Sequence, residues 1–332
     1  MLQDKQHAKL LLIAASSILT TFGLFNTSVE AATYKLDFDS ITIDDVVQEG
    51  SIYSASEGRD IDDEWANWGI NISGINYRGN GQYDNSDPNA TLRLYDTRTR
   101  DGKDHDLETG ADYGTKDQGN ALIIQKHSER DSSSPNDDAN GGEVLIDFTD
   151  ESGVGKQINF QQFTLLDVEL EEDGNKGINV FGYNKQGSKI LDIDVDALVS
   201  GFYNKYDGEY NADNLSKTNK TPDGVVYNPG DQEPSFSLNG VTLYQEGQQL
   251  GNNTVFRFEI DENNETAQSL SQIKFQYADV SGAISGVKWS DTDSPESPES
   301  VPESSMLLGL VMLGAFGVYR QRLRQVSVVE VK

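Results

Sequence analysis

Apolar and polar residues alternate with a period of two through most of this chain. Phe256, Phe258 and Ile260 alternate with Arg257 and Glu259, and Ile273, Phe275 and Tyr277 repeat the spacing. Such alternation turns one residue set toward a core and the other toward solvent, as a half-buried strand does and a helix does not. Similar β-prone runs fall at 34–38, 41–47, 70–77, 91–95, 121–125, 143–148 and 157–171. They resume at 177–183, 189–193, 235–244, 254–260, 270–277 and 283–289. Clusters of Gly, Asn, Asp or Pro bound each run, which is the chemistry of turns. About a dozen strands without intervening helices predict an all-β body, an antiparallel β-sandwich of jelly-roll-like form.

Helical signals are few. Val195, Leu198, Val199 and Phe202 have helical spacing, but Gly201 interrupts them, and Ile61, Trp65 and Trp68 share one turn or pack a loop. Polar insertions at 96–119, 127–142 and 204–233 are expected to be loops at the ends of the sandwich. No internal repeat points to a solenoid or propeller.

The two ends differ from the body. Lys5 and Lys9, the apolar stretch 10–25 and the small-residue site at 29–31 occur in the order of a secretory signal, predicted over 1–31 as a helix that is removed on export. The sandwich follows over 32–290. Residues 291–304 (DTDSPESPESVPES) form a Pro/Ser/Glu linker that cannot bury enough surface to fold. A hydrophobic helix with an arginine cluster is predicted over 305–324, with a short tail at 325–332. Its apolar run, 306–319, is shorter than the roughly 20 residues of a full span, so transient membrane association is expected, with Arg320, Arg322 and Arg324 on the cytoplasmic side.

Val301, Pro302 and Glu303, then the apolar run, then Arg320, resemble the PEP-CTERM sorting signal of Gram-negative bacteria. Ser304 departs from the usual final proline, and the stretch after the first arginine is longer than usual. The resemblance implies that an exosortase recognises and removes the tail during delivery to the cell surface or matrix. A permanently anchored ectodomain is the competing expectation. A second resemblance covers about 35–195. Asp60-Ile-Asp-Asp-Glu-Trp65, Trp68-Gly-Ile-Asn-Ile-Ser-Gly74, Leu92-Arg-Leu-Tyr-Asp96 and Gly119-Asn-Ala-Leu-Ile-Ile-Gln125 are similar to segments of a class of exported bacterial β-sandwich domains. So are the acidic loop 134–142, the strand 143–148 and Leu165-Leu-Asp-Val-Glu169. This likeness implies a fold and an address, and adds little about activity.

Composition narrows the chemistry. The 332 residues include 55 acidic against 26 basic side chains, for a net charge of −29. The basic tail contributes nothing to this excess, so the body carries it. Phosphate backbones are repelled, and no nucleic-acid partner is expected. Absence of cysteine removes disulfides, thiolate metal sites and a thiol nucleophile. Oxygen ligands abound, which makes calcium the candidate cofactor. Its candidate ligands are Asp96, Asp101, Asp104 and Asp106 (with Glu108 nearby) in one loop, and Asn136, Asp138, Asn140 and Asp147 in the other. The second set copies the early spacing of a calcium loop but fails as an EF-hand. Solvated turns explain both loops equally.

Trp65, Trp68, Tyr203, Tyr206 and Tyr210 are candidate contacts for an extracellular polysaccharide, because such side chains combine an apolar face with a polar tip. Tyr77, Tyr83 and Tyr227 border the same polar stretches, and all of these aromatics could instead anchor loops. No catalytic residue is assigned: there is no G-x-S-x-G elbow, and His105 and His127 read as surface histidines. The chain is therefore expected to be a non-enzymatic, structural or adhesive surface protein. The alternative is a secreted polysaccharide-active hydrolase or lyase.

Overall fold

The structure, a computed structural model, describes residues 31–51, 60–61, 63–78, 82–83, 92–98, 105–113, 115–126, 135–168, 177–207, 235–246 and 253–292. The signal helix expected before residue 31 lies outside the described residues. So do the linker beyond 292, the hydrophobic helix, and the sorting residues Val301, Pro302, Glu303 and Arg320. No helix among the described residues is long and apolar enough to cross a membrane.

The chain forms β1 (Thr33–Leu36), β2 (Ile41–Ile43), β3 (Val46–Val47), β4 (Asp60–Ile61), β5 (Ile70–Arg78), β6 (Gln82–Tyr83), β7 (Leu92–Asp96), β8 (Asn120–Ile124) and β9 (Gly141–Phe148). It continues with β10 (Ile158–Leu166), β11 (Gly177–Asn184), β12 (Lys189–Asp194), the helix α1 (Val195–Asp207), β13 (Ser235–Leu238), β14 (Val241–Glu246), β15 (Val255–Ile260), β16 (Leu270–Ala278) and β17 (Ala283–Asp291). The described ladders are antiparallel, as expected.

Two layers emerge from the pairings. One runs β5–β9–β16–β11–β12. The other runs β17–β10–β15–β14–β13. The far edge of β17 is shared: Val287–Ser290 pairs with β1, and Ala283–Ile284 pairs with β8, which leads on to β7 and β4. Ile158 opposite Leu270 joins the layers at a corner. From β8 onward the chain passes back and forth between them, giving a β-sandwich-like all-β body.

The alternation seen in the sequence builds the seam between the layers. Phe256, Phe258, Ile273, Phe275 and Tyr277 are buried, while Arg257, Glu259 and Lys274 are only half-buried on outer faces. Phe163 of β10 is fully buried, stacks on Phe258 with centroids 4.5 Å apart, and meets Phe275 of the opposite layer edge-on at 5.7 Å. Phe148 of β9 meets Trp289 of β17 at 5.0 Å, so aromatic contacts cross the seam twice. Each such pair contributes about 0.5–1.5 kcal/mol beyond the area it buries.

Helix α1 corrects the expectation of an interrupted segment. The Asp194 carboxylate accepts the Ala197 amide at 2.9 Å and caps the N-terminus. Val195, Leu198, Val199, Phe202 and Tyr203 form one buried stripe at helical spacing. Gly201 does not break the helix. A Cβ there would run into the Phe236 ring of β13, so the glycine serves close packing at the cost of some helix propensity.

Asp196, in the first turn, accepts the Ile178 amide at 3.2 Å. Burial raises its carboxyl from 3.8 to about 7; Asp194 adds to the rise and the Ile178 amide opposes it. The folded protein therefore holds this proton in a range where an unfolded aspartate has released it, and binds more protons between those values. Stability falls as pH climbs from about 4 to 7 and stays reduced above. Asp196→Asn keeps the acceptor without the charge. Thermal melts should show it more stable than the parent at pH 8, by on the order of 2 kcal/mol, with the difference vanishing near pH 4. Phe163→Ala, at the seam, should cost about 3–5 kcal/mol in denaturant unfolding at any pH.

Candidate functional site

The described parts of both acidic loops are hydrogen-bonded to the body. Asp96, at the end of β7, accepts the Arg98 Nε at 2.7 Å and the Arg98 amide at 3.1 Å. The same guanidinium lies 3.7 Å from Asp39, whose carboxylate also takes the Asn120 side-chain amide at 2.7 Å. Burial raises the Asp39 carboxyl and Arg98 partly offsets that rise, while the Asp96 bond holds Arg98 more firmly charged. Arg98 thus supplies the positive charge that a metal ion would bring to these acids.

Asp106 lies half-buried in the 3₁₀ turn His105–Leu107, and its carbonyl accepts the Asn253 amide. The neighbouring Glu108 is buried and bonded to His105 Nδ1 at 2.8 Å and to the Tyr113 hydroxyl. Asn253 ties this loop to the body through the His105 and Glu108 carbonyls, at 2.7 and 2.9 Å. Asp101, Asp104 and His127 lie outside the described residues.

The second loop does not wrap around one point. Asp138 is buried, and its carboxylate accepts the Asn140 backbone and side-chain amides, each at 3.0 Å, and the Asn76 side chain at 3.2 Å. The Asn136 amide donates to Gln125 Oε1 at 3.1 Å. Asn140 is exposed. Asp147 sits six residues beyond Gly141 on the extended β9, about 20 Å along the strand at 3.3 Å per residue, where it accepts the Gln272 amide at 2.6 Å. One ion cannot reach both Asp138 and Asp147. Among the described residues no group of three or more acidic or histidine side chains converges on a point.

The aromatic candidates separate. Trp65 is 1% exposed and edge-on to Phe38 at 5.7 Å, and Tyr203 is 1% exposed with its hydroxyl donating to Gln245 at 3.2 Å. Both are core residues that no sugar ring could reach, which corrects the expectation for them. Tyr77 is buried too, donating to Glu143 at 2.7 Å. The Tyr206 side chain, Tyr210 and Tyr227 lie outside the described residues, as does the Tyr83 side chain. Trp68 is different: it closes the 3₁₀ turn Ala66–Trp68, packs partly on the core, and lines an open cleft of about 810 Å³.

Tyr34, Asn67, Asn71, Asp150 and Lys156 share this cleft with Trp68. Tyr34 stacks on Trp289 with centroids 5.5 Å apart and planes 7° from parallel, and donates its hydroxyl to Asp291 at 3.1 Å. Lys156 Nζ bonds the other Asp291 oxygen at 2.6 Å and lies 5.2 Å from the Tyr34 ring centre. Burial, then the Asp291 charge, pushes the Tyr34 hydroxyl up to about 12, so it remains a neutral donor. Asp150 is committed to its own turn, accepting Ser152 and Val154 amides at 2.9 and 3.0 Å. The cleft therefore offers an indole, side-chain amides, the ion-paired Lys156 and the carboxylates of Asp150 and Glu151, a set able to bind a polyhydroxylated ligand. Tyr34 and Lys156 were not expected here, since nothing in their local sequence marks them as neighbours of Trp68.

No protein-family model matches the chain, and no curated protein or solved structure matches it significantly.

The Asp138 turn yields a check on these assignments. Asp138→Ala removes one of the two acceptors of the buried Asn76 amide, the Gln125 carbonyl remaining, and the acceptor of the Asn140 amides, and should lower stability by about 1–3 kcal/mol in denaturant unfolding. If the carboxylate served only a solvated turn, the loss would stay within about 0.5 kcal/mol.

Proposed function

We propose that this chain is an exported protein of the cell surface or extracellular matrix. Its role is structural or adhesive, and it contacts polysaccharide through the Trp68 cleft. The signal-like segment 1–31 and the sorting-like residues Val301, Pro302, Glu303 and Arg320 support export and processing by an exosortase-type enzyme. The body is read as a jelly roll. In favour of that reading, β8–β17–β10–β15 and β9–β16–β11–β12 are two four-stranded orders, and their eight strands interleave along the chain.

The observation that carries the polysaccharide contact is the placement of Trp68. It is the candidate aromatic whose described side chain borders an open cleft, and amide donors and acceptors stand beside it. A sugar ring buries an apolar face against an indole while its hydroxyls pair with amides. The large rigid ring gives contact area at low entropic cost.

The test is affinity electrophoresis of the full chain through gels containing uncharged polysaccharides such as glucans, galactans and xylans. At least one should retard the parent protein, and Trp68→Ala should weaken that retardation about fivefold to tenfold. If no polysaccharide retards the parent, or Trp68→Ala runs identically while remaining folded, the cleft is not a saccharide site.

A further inference from the structure

A second place on the molecule has chemistry that the Trp68 cleft does not use. On the outer face of the layer built on β17, Lys35 of β1 stands directly opposite Lys288 of β17. Like charges opposite each other across a ladder are destabilising. The arrangement is unexpected in a protein with 55 acidic and only 26 basic side chains. Lys35 has Asp37 at 3.6 Å. Lys288 is half-buried, and its side chain makes no hydrogen bond or ion pair among the described residues.

The neighbouring acids are engaged elsewhere. Asp39 faces Arg98, Glu246 faces Lys116 at 3.2 Å, and Glu259 is paired with Arg257. This leaves the Lys288 ammonium without an ion-pair partner among the described residues, although Glu259, Asp261 and Glu262 line the same depression.

The lysines border a groove. Two depressions of about 430 and 420 Å³ meet at Gln162, with Lys35 lining the first and Lys288 the second. Gln162 stands opposite Lys288 on β10, and Thr164 stands opposite Gly286. Gly286 keeps the floor bare, since a Cβ there would press to 3.2 Å on the Leu36 carbonyl oxygen. Asp261 and Glu262 border the end beyond Lys288, so an anion is steered to the lysines and away from that end.

A lysine with no ion-pair partner among the described residues, beside the amide of Gln162 and the hydroxyl of Thr164, fits a ligand that brings a carboxylate and hydroxyl groups. We propose that this groove binds a carboxylate-bearing polysaccharide, a chain of uronate sugars. Lys288 and Lys35 share one carboxylate, and Gln162 and Thr164 bond ring hydroxyls. The proposal deepens the polysaccharide reading but uses a different set of residues, so the two can fail separately.

The experiment measures binding of the full chain to polygalacturonate and to an uncharged galactan, at low and raised sodium chloride. The parent should bind polygalacturonate, and raised salt should weaken the complex. Lys288→Ala should weaken it about tenfold, as expected for loss of a charge-assisted bond. Lys288→Arg should retain most of the affinity, and Trp68→Ala should leave it unchanged. Melting of Lys288→Ala should be unaltered or improved, because a like-charge pair is removed; this shows that the variant is folded. Polygalacturonate binding that is absent, or equal in Lys288→Ala, overturns the proposal. Retardation by a neutral polysaccharide that depends on Trp68, without uronate binding, overturns this groove alone. Binding to neither overturns both readings.

Discussion

The aromatic seam between the two layers is the interaction on which the rest of this structure depends. With a net charge of −29 the chain repels itself in any compact form, and with no cysteine it has no covalent staple. Cohesion must come from buried apolar area. Phe163, Phe258 and Phe275 interlock near one part of the seam, and Phe148, Trp289 and Tyr34 near another. Six rings across two layers hold the strands in register, because a one-residue slip of any of these strands would turn its own ring outward. The Tyr34–Trp289 stack also reaches the surface at the Trp68 cleft, so the same contact that closes the core shapes a wall of the site.

Many carboxylates act as backbone acceptors. Asp150 bonds amides two and four residues ahead, Asp261 bonds the Asn263 amide, Asp37 the Ser40 amide, and Asp138 the Asn140 amide. Amide donors hold the carboxyls of Asp150 and Asp261 below their usual range; for Asp150 the leading donor is the Ser152 hydroxyl. Short acidic side chains fold these turns by satisfying backbone groups that strands cannot reach. An acidic composition therefore need not mean a metal-binding surface. At the described loops Asp96 accepts Arg98, and Asp138 and Asp147 accept amides, while Asp101 and Asp104 lie beyond the described residues.

Strands were the most legible feature of the sequence, because period two is local. Phe256–Ile260 and Ile273–Tyr277 announce their faces without knowledge of their partners. The buried role of Trp65 was not legible, since a tryptophan among acidic residues reads equally as a loop anchor or a sugar platform. The continuity of α1 through Gly201 was not legible, because the reason for that glycine, the Phe236 ring, arrives from a strand more than thirty residues later. The pairing of Lys35 with Lys288 joins the two ends of the body, and no local pattern reports it. What sequence cannot reveal here is long-range register, and both candidate sites are products of register.

Register also bears on how such a chain could be delivered. β17 is the last described strand, yet it is not an edge: β10 flanks one side, and β1 and β8 share the other. Until this final segment is present, β1 and β8 lack their neighbour and β10 has an open edge. Open edges of this kind are aggregation-prone, and pairings of such sequence separation form slowly. A layer that cannot close before its last strand arrives is compatible with passage across a bilayer as an unfolded chain. For the exported protein proposed here, the topology would delay folding until translocation is nearly complete. The central strand would then lie immediately before the Pro/Ser/Glu stretch, so cleavage after it by a processing enzyme would remove no strand of the completed layer.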